Sequence, residues 1–95
     1  MKLPKTIMGL GGPIRVKVVE RLKVKGDRVH GSWDPRKRLI SLDAENTAVE
    51  TEQTFYHELM HAALDDSGQW NLLTKEGAEA LCDLVAMARM REKAK

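Results

Sequence analysis

Residues 47–68, TAVETEQTFYHELMHAALDDSG, decide how the rest of the chain must be arranged. Thr47-Ala48-Val49-Glu50 matches a capping box, in which the threonine hydroxyl takes the N–H three residues on and the glutamate reaches back. Behind it Phe55, Leu59, Ala62 and Ala63 recur at helical spacing and form one apolar stripe. The helix is expected to run to about Leu64 and to stop in Asp65-Asp66-Ser67-Gly68. Two acids at a helix C-terminus oppose its dipole, so this end is expected to fray.

Upstream the period is two. Ile14, Val16, Val18, Leu22 and Val24 share one face, with Arg15, Lys17, Arg21 and Lys23 on the other. Glu20 interrupts the apolar face, which predicts a bend near Val19. Gly26-Asp27 is expected to turn the chain into a second strand, Val29 to Trp33. Asp34-Pro35 suits positions i and i+1 of a type I turn, and Arg38 to Leu42 forms a third strand. Downstream, Gln69 to Leu73 is a connection with Trp70 and two leucines turned inward. Thr74 caps a second helix, Lys75 to about Lys93, with acids early and bases late, as the helix dipole favours. The expected architecture is α+β: a small antiparallel sheet of about three strands followed by two main helices. Residues 1–12 read as a flexible lead-in and residues 13–95 as a single domain.

Ninety-five residues allow one modest core, and 42% hydrophobic with 32% charged residues is an ordinary globular balance. One cysteine, Cys82, permits no disulfide within the chain and suits a reducing compartment. With no apolar run of membrane-spanning length and no signal-peptide core, the expected location is the cytoplasm, away from any membrane. The net charge of +2 hides an asymmetry. Residues 1–38 hold eleven Lys/Arg against three acids, net +8, and residues 39–95 hold five against eleven, net −6. The favoured reading is that strands show alternating cations to solvent, which also discourages edge aggregation. Nucleic-acid binding by the basic half is the rival reading.

His57-Glu58-Leu59-Met60-His61 is H-E-x-x-H within the predicted helix. Residues four apart on a helix share a face, so both imidazoles can reach one tetrahedral ion, with Glu58 beside them to take a proton from water. Two imidazoles and a carboxylate suit a single Zn2+ ion. A catalytic zinc needs a third protein donor, and the second helix offers Glu76, Glu79 and Asp83.

Glu79-Ala80-Leu81-Cys82-Asp83 follows His61 after the seventeen residues 62–78, and H-E-x-x-H followed by E-x-x-x-D on the next helix resembles the gluzincin metallopeptidases. The resemblance implies that Glu79 is the third ligand and that Asp83 accepts a hydrogen bond from a ligating histidine. Glu76, one turn earlier, remains its rival. Gly31-Ser32-Trp33-Asp34-Pro35, then Arg38 to Asp43, then the H-E-x-x-H helix, is similar to the short ImmA/IrrE-type domains of phages, mobile elements and bacterial regulators. These are minimal zincins of the same sheet-then-helices plan. The chain departs from that pattern at Met60, where a glycine is common, and at Leu81-Cys82-Asp83-Leu84 on the second helix.

The implied activity is hydrolysis of peptide bonds in a protein or peptide substrate, with Glu58 as general base. The substrate would pair with an exposed strand edge at Val29 to Trp33. His30 is a weak candidate for an oxyanion donor, Trp33 for a cleft wall and Tyr56 for core packing. Cys82 is expected on another face of its helix. The competing function is a zinc-binding regulatory or interaction module on the same scaffold, without useful turnover. Oligomeric state is open.

Overall fold

The computed structural model describes residues 3–93, with side chains at all of them except positions 70, 71 and 93. Six strands precede two helices: β1 (Thr6–Gly9), β2 (Gly12–Val19), β3 (Lys23–Val24), β4 (Asp27–Arg28), β5 (Gly31–Asp34), β6 (Leu39–Asp43), α1 (Ala48–Ser67) and α2 (Lys75–Lys93). A 3₁₀ turn, Gln69–Leu72, joins the helices. The class is α+β, as expected, but the sheet is mixed.

Its order is β1-β2-β6-β5, with β2 antiparallel to β1 and β6 antiparallel to β5. β2 and β6 run parallel, Val16 beside Ile40 and Val18 beside Leu42, so the antiparallel three-stranded sheet is corrected. Burial accounts for the central place of β6, not for its direction. Ile40 and Leu42 are fully buried and Ser41 and Asp43 nearly so, which places β6 in the interior of the sheet with a neighbour on each side.

The lead-in expected over residues 1–12 contains a strand. Ile7 lies opposite Ile14 and packs on the core, so its side chain is recruited by the sheet although glycines and prolines surround it. The bend expected near Val19 is a full break, which divides Ile14 to Val24 into two strands. β2 stops at Val19, Arg21 takes a left-handed φ of 50°, and Val18 is 55% exposed beyond the cover of α1. The following hairpin turns at Lys25-Gly26, both with positive φ (52° and 87°), one residue earlier than expected. Two successive left-handed residues define the mirror-image turn that suits strand twist.

α1 begins at the predicted capping box. Glu50 N–H donates to Thr47 Oγ1 at 3.1 Å, and Thr47 N–H donates to Glu50 Oε1 at 2.8 Å. Its C-terminus is ordered rather than frayed, continuing to Ser67 and closing on Gly68 with φ 74°. Both acids that oppose the dipole have partners. Asp65 accepts the Trp33 indole N–H at 2.6 Å, and Asp66 takes a two-pronged contact from Arg38 at 2.8 and 2.9 Å and the Gly11 N–H at 2.9 Å. Phe55 and Ala62 sit in the core with Ile14, Ile40 and Leu42, which clamps α1 across the sheet.

α2 packs on α1 through a second cluster of Leu64, Ala78 and Cys82. Gly77 N–H donates to Thr74 Oγ1 at 2.9 Å, the predicted cap. Leu72 and Leu73 are 77% and 37% exposed, contrary to the inward packing expected of them. The expectation for Trp70 falls outside the described side chains. Among the described residues no helix is long and apolar enough to cross a membrane.

Candidate metal centre

One helical turn of α1 and one of α2 face each other across the open end of the domain. His61 Nε2 lies 2.8 Å from Glu79 Oε1, and His57 Nε2 lies 3.1 Å from Glu79 Oε2. The two imidazole Nε2 atoms are themselves 3.1 Å apart. On the far side of the His57 ring, Nδ1 stands 2.7 Å from Asp83 Oδ1. Glu79 and Asp83 are four residues apart, so one turn of α2 offers one carboxylate to the front of His57 and one to its back. Glu76, the rival, is exposed in the first turn of α2.

This constellation fits a divalent metal by its chemistry. With Asp83 Oδ1 accepting from a protonated Nδ1, a neutral His57 keeps its lone pair on Nε2. That lone pair then faces a carboxylate oxygen and a second imidazole nitrogen, so acceptors converge on one point that a cation would satisfy. Two donors on a tetrahedral zinc stand roughly 3.3 Å apart, given metal–donor distances of about 2.0–2.1 Å. The observed separations of 2.8–3.1 Å are a few tenths shorter, within reach of small side-chain shifts.

Cys82 corrects the expectation that it points elsewhere. Its Sγ and one nitrogen of each of His57 and His61 all lie within 4.8 Å of one another, and the residue is fully buried behind them. Three residues after Glu79, it falls on the same flank of α2, a signal present in the spacing. Two candidates for a third donor therefore compete. Glu79 is the nearer, at 2.8 and 3.1 Å, whereas Cys82 stands within 4.8 Å; without a metal, burial and then the charges of Glu79, Glu58 and Asp83 push its thiol up to about 12.

Glu58 is the other polar group of note. It is 8% exposed, and among the described residues no hydrogen bond reaches its carboxylate. Burial, opposed by His57 and reinforced by the charges of Glu79 and Asp83, raises its pKa to about 7. Such a carboxyl exchanges a proton near neutrality, which is what a general base requires. Burial also lowers the pKa of His61 and so favours the neutral ring that a metal needs.

The cleft over these residues has two lobes of about 450 and 530 Å³ that share Gly31, His57, Glu58 and Glu79. His30 lines the first, although it is exposed and its Nδ1 is bound to Asn46 Oδ1 at 2.7 Å. Trp33 lines the second, its N–H held by Asp65. Tyr56 packs against the core, its ring 5.6 Å from that of Phe55. Gly31 permits the close approach of β5 to α1, since a Cβ there would come within 2.5 Å of Thr54 Cγ2. No protein-family model, curated protein or solved structure matches the chain.

Proposed function

We propose that the chain is a zinc-dependent metallopeptidase of minimal gluzincin plan, of the ImmA/IrrE type, acting on protein or peptide substrates in the cytoplasm. The observation that carries this reading is the convergence of His57, His61 and Glu79 within 3.1 Å beside the buried Glu58, which makes no hydrogen bond among the described residues. His57, His61 and Glu79 hold the ion, and Asp83 fixes the ring and tautomer of His57 through Nδ1. Zinc held there would act as a Lewis acid, polarising a carbonyl and bringing a water into the neutral range of acidity.

Glu58 takes the proton of the attacking water and passes it to the departing amine, a role that its pKa near 7 suits in both directions. β5 is the free edge of the sheet beside these residues and offers its backbone to an extended peptide. Metal analysis of the purified protein should find about one zinc per chain. With zinc supplied, the protein should digest fluorescently quenched casein. Glu58→Gln should lower that rate by about 10²–10⁴-fold, the usual weight of a general base, and keep the metal. Full activity in Glu58→Gln would remove Glu58 from the chemistry.

The proximity of Cys82 supports a second reading, a closed centre of two imidazoles, carboxylate and thiolate that serves a regulatory module without turnover. Cobalt substitution separates the two. A thiolate ligand gives an intense near-ultraviolet charge-transfer band that Cys82→Ala removes, whereas the peptidase reading expects no such band.

A further inference from the structure

The two lobes of the cleft differ in chemistry: the first meets β5 only at Gly31, and the second follows it from Gly31 to Trp33 and on to Pro35. The first has Glu50 and Asp83 to itself, beside Glu58 and Glu79, which line both lobes. One carboxylate oxygen there is uncommitted: His57 meets only Oδ1 of Asp83, whereas Glu50 is held by both the N–H and the side chain of Thr47. Glu58 faces the same space, more than nine-tenths buried and without a hydrogen-bond partner among the described residues. The second lobe shares Glu58 and Glu79 and adds Asp65, but its remaining walls include Val24, Val29, Trp33 and Pro35. With the indole N–H tied to Asp65, Trp33 offers this lobe its ring.

The register of β5 says how a peptide would lie between them. Asp43 N–H donates to His30 O at 2.9 Å, and His30 is opposite Asp43 in the continued antiparallel register. Bonded and non-bonded pairs alternate along such a ladder, so His30, Ser32 and Asp34 spend their backbone groups on β6. Gly31 and Trp33 turn theirs to the outer edge, which no strand occupies among the described residues. These are also the residues whose Cα positions face α1 and the cleft. An added strand is the better held when antiparallel. A chain antiparallel to β5 enters at Pro35 and leaves at His30, meeting the apolar lobe first and the acidic lobe second.

Resting on the peptidase reading above, we infer that the substrate is an extended segment with an apolar side chain on the amino side of the scissile bond and a lysine or arginine on the carboxyl side. Charge complementarity selects the cation, and desolvation of an apolar side chain against Trp33 and the valines selects its neighbour.

The test uses synthetic dodecapeptides, identical except for a central Leu-Lys, Leu-Glu, Lys-Leu or Ala-Ala pair, and the full chain supplied with zinc. Mass spectrometry should find Leu-Lys cut between the pair about ten-fold faster than Leu-Glu or Lys-Leu, the scale of one well-placed charge contact. Gln53→Lys puts a cation on an exposed position of the acidic lobe and should reduce the Leu-Lys to Leu-Glu ratio about five-fold. Anisotropy of the same labelled peptides on zinc-loaded Glu58→Gln reads the preference without turnover. Cleavage that ignores the pair, or favours Lys-Leu, overturns the inference and leaves the peptidase standing. The expected binding order with no cleavage by the wild type keeps the preference and overturns the peptidase. Neither binding nor cleavage overturns both.

Discussion

Asp83 Oδ1 lies 2.7 Å from Nδ1 of His57, on the opposite side of the ring from Glu79. The contact orients an imidazole that would otherwise rotate about χ2 and selects the tautomer with its lone pair on Nε2. Removing such a partner usually costs 10–100-fold in metal affinity. Asp83→Ala is therefore expected to weaken zinc binding by about that factor, measured by competition with a chromophoric chelator. Glu76→Ala, on an exposed residue of the same helix, should leave the affinity within about two-fold, the size of a surface effect.

Arg38 and Asp66 predict an acid limb of stability. The Arg38 guanidinium, with help from the Gly11 N–H, holds Asp66 down at about 2 against an ordinary 3.8. A depressed carboxyl stabilises the fold above its unfolded value and loses that contribution as the pH falls from about 4 towards about 2. Melting temperature should drop across this window, and Asp66→Asn should flatten the drop while lowering stability at neutral pH. Asp43, lowered by Arg28, should keep a residual slope in that variant. A pH profile unchanged by Asp66→Asn would show that the ion pair is not held in solution.

What was legible in the chain was local. The capping box, the stripe of Phe55 and Ala62, and the alignment of His57 with His61 all follow from helical geometry within a few residues. Glu79 with Asp83 follows from the same geometry on α2, and the same argument places Cys82 on their flank. Strand partnership was not local. Alternation in Ile14-Val16 and Ile40-Leu42 names a buried face, yet it is satisfied equally by parallel or antiparallel neighbours. β1 is hidden for a related reason, because Thr6–Gly9 is short and becomes a strand only by pairing with β2. The acids at the end of α1 mislead because their partners, Trp33, Arg38 and Gly11, are distant in sequence.

Thr47 tests how much α1 owes to its own ends. Both reciprocal bonds of the box are made, and Thr47→Ala removes the one in which the hydroxyl accepts the Glu50 N–H, while the backbone N–H of residue 47 can still donate to Glu50 Oε1. Loss of a cap costs about 1 kcal/mol, which for a domain of this size corresponds to roughly 4–8 °C in melting temperature. Thr47→Ser should recover most of it. Thermal unfolding followed by circular dichroism checks both. Equal melting of Thr47→Ala and the wild type would show that tertiary packing alone sets the start of α1.

Gly31 couples the edge strand to α1. An alanine Cβ at this position would meet Thr54 Cγ2 at 2.5 Å, the Ser41 carbonyl oxygen at 3.1 Å and Leu42 Cδ2 at 3.2 Å. Either β5 moves away from α1 or Thr54 turns, and overpacking of this kind costs about 1–3 kcal/mol. The displacement also widens the gap between the strand edge and Glu58, so Gly31→Ala should lose peptide cleavage beyond what its stability loss explains. Thr54→Ser removes the offending methyl and leaves the hydroxyl. A double-mutant cycle of Gly31→Ala with Thr54→Ser should therefore return a favourable coupling of about 0.5 kcal/mol or more in denaturant unfolding. Strict additivity of the two would show that the backbone at Ser41, and not Thr54, sets the spacing between β5 and the helix.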